Sequence, residues 1–76
     1  MSQETKDRIT WRSAVPTQCQ ATGLAIIDTF IEGRTVTGAW AIMHPTGHKL
    51  YGCGLGNGRG QKYTRQEDGT WLRTEG

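Results

Sequence analysis

His44 and His48 stand four residues apart, Cys53 follows five later, and Cys19 is the only other thiol. Imidazole and thiolate are the donors a zinc ion prefers, so a Cys2His2 set is formally present. Its spacing argues against a metal centre, because both histidines fall between two distant cysteines and no Cys-x-x-Cys occurs. Catalysis finds no better footing. Ser2 and Ser13 lie in the N-terminal segment, and the nearest carboxylates, Glu32 and Glu67, sit at strand ends away from either histidine. Without a nucleophile, a base and a group to orient it, the chain is expected not to be an enzyme. No metal and no cofactor is expected.

Glycine alternates from Gly52 through Gly54, Gly56 and Gly58 to Gly60. Such a run invites a phosphate-cradle reading, but no Gly-x-Gly-x-x-Gly can be drawn and no Gly-Lys-Ser/Thr follows. What remains is a glycine floor with cations and π-faces beside it: Trp40, Arg59, Gln61, Tyr63 and Arg65. Guanidinium groups neutralise phosphates and aromatic faces stack on bases, so this set predicts a binding face for nucleic acid or a nucleotide. A second set lies toward the chain ends, where Trp11 adjoins Arg12 and Trp71 is followed at two residues by Arg73. Tryptophan and arginine together are frequent in protein-binding hot spots. The alternative function is therefore a protein-binding inhibitor or adaptor, of the small type found in phages and mobile elements, acting through these residues and an edge strand. The same residues also suit terminal strands that simply close a core.

These side chains need elements to hold them, and the turn signals say which. Gly33-Arg34 suits a two-residue hairpin turn, Pro45-Thr46-Gly47 a three-residue loop, and Asn57-Gly58 and Asp68-Gly69 are strong hairpin signals. Between them lie residues rich in Thr, Val, Ile, Trp and Tyr, with a further short strand at Ile9–Ser13. A turn at Gly33-Arg34 sets Ile31 opposite Val36, Ile27 opposite Trp40 and Ala25 opposite Ile42, all on one face. The later turns place Trp40 and Tyr63 opposite Gly52, with Gly38 and Gly54 in the same lane. His44 and His48 then face each other across the loop, while Cys53 points through the other side. The predicted fold is all-β: a single antiparallel meander of five or six strands, curled or closing to a small barrel.

Residues 17–32 carry a competing signal. Thr17-x-x-Gln20 is a capping-box pattern, Leu24, Ile27 and Ile31 have helical spacing, and Gly33 suits a helix end. Gly23 and the β-branched run near Thr29 oppose it. If that helix forms, the fold is α+β, with the helix packed on a four-stranded meander. Gly38 and Gly60 are each followed by a glycine nine positions on, and Leu50 and Leu72 share the same 22-residue offset. This punctuation is similar to that of MORN repeats over residues 30 to 72. Most positions lack that family's aromatic–glycine pairs, so only the hairpin repetition is carried forward.

Seventy-six residues allow one small domain with a thin core, read as a polar lead-in over residues 1–7 and a β domain over 8–76. The net charge of +2 conceals a division: no acid lies between Glu32 and Glu67, where Arg34, Lys49, Arg59, Lys62 and Arg65 fall. The apolar runs are too short to cross a bilayer, and no secretory pattern is present, so no membrane partner and a cytoplasmic setting with reduced thiols are expected. An exposed strand edge in so short a β domain is expected to be covered by a second copy of the chain, as a homo-oligomer, or by a partner.

Overall fold

Asp68 and Gly69 turn the chain as their types demand. The Asp68 carboxylate accepts hydrogen bonds from the Thr70 amide (2.9 Å) and hydroxyl (2.7 Å), and Gly69 takes a left-handed φ of +89°. This loop joins β3 (Gly60–Arg65) to β4 (Trp71–Glu75) in an antiparallel hairpin. A second hairpin pairs β1 (Thr29–Arg34) with β2 (Trp40–Met43). The computed structural model describes residues 9–76; the expected lead-in over 1–7 lies outside the described residues, as does Arg8.

β1 and β3 also pair antiparallel, giving the order β2-β1-β3-β4. Beyond β4, Ile9–Trp11 adds a short rung: Thr10 bridges Leu72, the Trp11 amide donates to the Trp71 carbonyl (2.9 Å), and the Arg73 amide donates to Ile9 (2.7 Å). The molecule is thus mostly an antiparallel sheet of four strands with one short helix. The sheet stays open with four strands where five or six were expected, and of the two forms expected, curled or closed to a barrel, the closed one does not occur. No helix among the described residues is long and apolar enough to cross a membrane.

The first turn differs from the sequence expectation. Gly33 and Arg34 lie inside β1, and the chain reverses over Thr35–Ala39, so Ile31 pairs with Met43 and Arg34 with Trp40. Thr35 closes this turn twice, its amide and its hydroxyl both donating to the Ala39 carbonyl (2.8 Å each), and Gly38 supplies the left-handed residue. Gly33 is needed in the strand instead. It faces Gly60 across β1 and β3, and a Cβ on Gly60 would lie 3.0 Å from the Gly54 carbonyl and 3.2 Å from the Gly33 Cα. Two glycines opposite one another let the loop before β3 lie directly on the sheet.

That loop is the glycine run. Gly54, Gly56 and Gly58 all have positive φ, so Gly52–Gly58 is an irregular loop rather than a strand lane beneath Trp40 and Tyr63. The Asn57-Gly58 turn forms, closed by the paired bonds between Gly56 and Gly60 (2.8 and 3.0 Å).

The helix also moves. Residues 17–26 form a tight loop, bridged Gln18 to Ala25 and turned at Gly23, so the helix considered over 17–32 is absent. Instead Pro45-Thr46-Gly47, expected as a loop, begins α1 (Pro45–Tyr51). Proline at the first turn costs the helix no hydrogen bond, and His44 caps it, Nδ1 accepting from the Thr46 amide at 3.0 Å. Gly47 is buried with no room for a side chain: a Cβ there would lie 2.6 Å from Cys19 Sγ and 3.2 Å from Thr22 Cγ2.

Each face of the sheet carries part of the core. Ile31 and Met43, directly paired, are fully covered on one face. On the other, Phe30 and Tyr63 pair and stack, Trp11 stands edge-on to both rings at 5.3 Å, and Trp71 lies 5.1 Å from Phe30. Covering a side chain the size of Phe30 contributes about 2–3 kcal/mol, a large share in a domain this small.

Candidate functional site

The aromatic core takes away residues that the sequence offered for binding. Tyr63 is only 6% exposed, its ring held between Phe30 and Trp11, so it is no platform for a stacked base. Burial and the neighbouring Glu32 charge push its phenol above the ordinary tyrosine value, with Arg73, its cross-strand partner, partly offsetting them. Trp11 and Trp71 belong to the same cluster and are half-buried, so they do not stand as separate hot spots at an open edge. Arg12 is exposed beside Trp11, and Arg65 is exposed opposite Trp71.

Trp40 goes the other way. The turn at Gly33-Arg34 would have placed it against apolar partners, but the observed register leaves it 48% exposed on the edge strand β2. Its partner is Arg34, and the Arg34 amide donates to the Arg59 carbonyl at 2.9 Å. One lane across the sheet therefore reads Trp40, Arg34, Arg59, with both arginines exposed. The next lane reads Ile42, Glu32, Gln61, since Glu32 pairs with Ile42 on one side and Gln61 on the other. Directly opposed residues share a face, so Trp40, Arg34, Glu32, Ile42 and Gln61 face the same way. The Arg59 side chain leans toward the glycine loop: a Cβ on Gly56 would lie 3.8 Å from its guanidinium.

The sheet thus unites Trp40, Arg59 and Gln61 of the expected binding set. It separates them from Arg65 by the buried Tyr63. Arg34, Glu32 and Gln20 were not singled out as functional by the sequence. Arg34 follows a turn-competent glycine and Gln20 completes a capping-box pattern, so the local signal at each points to backbone structure and not to a site. Gln20 instead seals part of the β2 edge: its amide donates to the Ile42 carbonyl (2.9 Å), and its side-chain oxygen accepts from the Ile42 amide (2.8 Å).

The histidines and thiols do not assemble. His44 Nδ1 is occupied by the helix cap, and His48 Nε2 donates to the Gly54 carbonyl at 2.9 Å, tying α1 to the glycine loop. No cluster of metal-ligating side chains occurs among the described residues, and both cysteines are free thiols. Burial of Cys19 opposes its ionisation, but the Thr22 hydroxyl and the backbone amides of His44, Ala21 and Thr22 outweigh it and hold the thiol below its ordinary value. Buried beneath Gly47, it acts in packing. Comparison of the chain with protein-family models, with curated proteins and with solved structures gave no match.

Proposed function

We propose that this domain is a binding module rather than an enzyme, and that it presents the lane Trp40, Arg34 and Arg59 to a single-stranded nucleic acid. The observation that carries this reading is the exposed indole of Trp40 directly paired with Arg34 and continued by Arg59. An exposed π-face beside the Arg34 guanidinium, with the Arg59 guanidinium at the adjoining glycine loop, combines base stacking with phosphate neutralisation. Lys49, in α1, and Lys62, in β3, add to the positive charge of the stretch, although Lys62 is engaged with Glu75 at 3.5 Å.

Fluorescence anisotropy with a labelled single-stranded oligonucleotide tests this directly. Binding should weaken steeply with salt, and combined Arg34→Ala and Arg59→Ala should reduce the slope of log K against log salt by about 1.4, the loss of two phosphate contacts. Absence of binding at low salt refutes the reading.

A second reading rests on a different observation. Val36, Leu50, Tyr51 and Trp40 are all exposed, and the Val36 amide donates to the Tyr51 carbonyl (2.8 Å), bringing the turn after β1 against the end of α1. An apolar patch beside an edge strand suits a protein partner or a second copy of the chain. A single stoichiometric protein recovered with the domain, unaffected by nuclease and moderate salt, would favour it over nucleic acid. Sedimentation of the isolated domain as a dimer would favour the second copy.

A further inference from the structure

Beside Trp40 lies a cleft of about 220 Å³ lined by Gln20, Glu32, Trp40, Ala41 and Ile42. One of its polar side chains is oriented by a hydrogen bond. Because Gln20 Oε1 accepts from the Ile42 amide at 2.8 Å, the free pole of that side chain is its NH2 group, a donor. Glu32 supplies an acceptor from the centre of the sheet, half-buried between Ile42 and Gln61, and makes no ion pair among the described residues. The cleft therefore offers one π-face, one carboxylate and one amide donor.

Resting on the reading of the Trp40 lane as a nucleic-acid face, we infer that this cleft selects guanine. Guanine presents two adjacent donors, N1–H and the 2-amino group, which match the two oxygens of a carboxylate. Its O6 lies alongside as an acceptor for the Gln20 amide. Adenine and cytosine each set a single amino group next to a ring-nitrogen acceptor, which the carboxylate repels. Uracil flanks its one N–H with two carbonyls. Trp40 supplies the stacking surface, and Arg34, its cross-strand partner, takes the adjoining phosphate.

The test uses short oligouridylates carrying one central guanosine, adenosine, cytidine, inosine or uridine, titrated against the full chain. Central guanosine should bind about tenfold tighter than the other natural bases, the discrimination expected of one bidentate contact. Inosine, which lacks the 2-amino group, should lose most of that gain. Glu32→Gln should abolish the guanosine preference and leave the salt slope unchanged, with circular dichroism confirming the fold. Trp40→Ala should weaken every ligand. Equal, salt-dependent binding of all five oligonucleotides would overturn the guanine cleft while leaving the cationic lane standing. A guanosine preference that survives Glu32→Gln would overturn the role given to Glu32. No binding of any oligonucleotide would overturn the underlying reading and the cleft together.

Discussion

Tyr63 lies nearly flat against Phe30, its directly opposite partner across β1 and β3, with ring centroids 5.1 Å apart and 17° between the planes. Trp11 stands edge-on to both, at 78° to Phe30 and 70° to Tyr63. Flat and perpendicular contacts both satisfy the aromatic quadrupoles and add about 0.5–1.5 kcal/mol per pair to the area buried. Phe30→Ala removes the centre of this cluster, and should cost about 3–5 kcal/mol. In a domain of this size that approaches the whole stability, so urea titration followed by tryptophan fluorescence should show a broad, early transition or none.

The phenol of Tyr63 gives the fold an alkaline limit. Its value is raised in the folded chain, first by burial and then by Glu32, so the neutral form is the one the fold favours. The associated stability is fully present below the ordinary tyrosine value of about 10 and is lost as the pH rises through the higher folded value. Cys19 acts in the opposite sense: its lowered value adds stability as the pH rises through that value, with the full contribution present above the ordinary thiol range. Thermal midpoints should therefore hold or rise from neutral pH into the thiol range and fall above about pH 10. Tyr63→Phe should remove the alkaline fall while changing little at neutral pH.

Gly47 admits α1 close to Cys19, and the contact predicts a specific coupling. Gly47→Ala would place a methyl 2.6 Å from Sγ, and should destabilise by about 1–3 kcal/mol through overpacking. Cys19→Ala removes the sulfur and should recover part of that loss in the double variant. A double-mutant cycle measured by denaturation checks it: strict additivity would mean that the two residues do not compete for this space.

His44 caps a helix of seven residues, too short to be stable by propensity alone. His44→Ala should cost about 1 kcal/mol by removing the acceptor for the Thr46 amide. His44→Asp should retain or improve the cap, because a carboxylate accepts the same hydrogen bond and complements the helix dipole. The order of thermal midpoints, Asp at or above wild type and Ala below, is the measurement.

The binding surface predicts a contrast between arginines that the sequence had grouped. Arg34→Ala should weaken oligonucleotide binding more than Arg65→Ala, since Arg34 pairs with Trp40 whereas Arg65 lies beyond the buried Tyr63. Equal losses in anisotropy titrations would mean that the face extends over β4.

Residue types and local turn chemistry determined by themselves that this chain makes short antiparallel hairpins. Asp68-Gly69 and Asn57-Gly58 turn where their types require, because side-chain capping and left-handed glycine act within a few residues. The basic, acid-free stretch was legible in the same way. The first hairpin was not, because Gly33-Arg34 and Thr35–Ala39 are both competent turns, and a shift between them re-pairs every residue of two strands. Tertiary packing decided it: Gly33 is worth more opposite Gly60, under the Gly54 loop, than at a turn. The same choice exposed Trp40, paired it with Arg34, and brought Glu32 beside the Gln20 cleft. Sequence supplied the aromatic and cationic groups, but long-range register assigned each of them to core or surface, because only non-local contacts distinguish two turns of similar local energy.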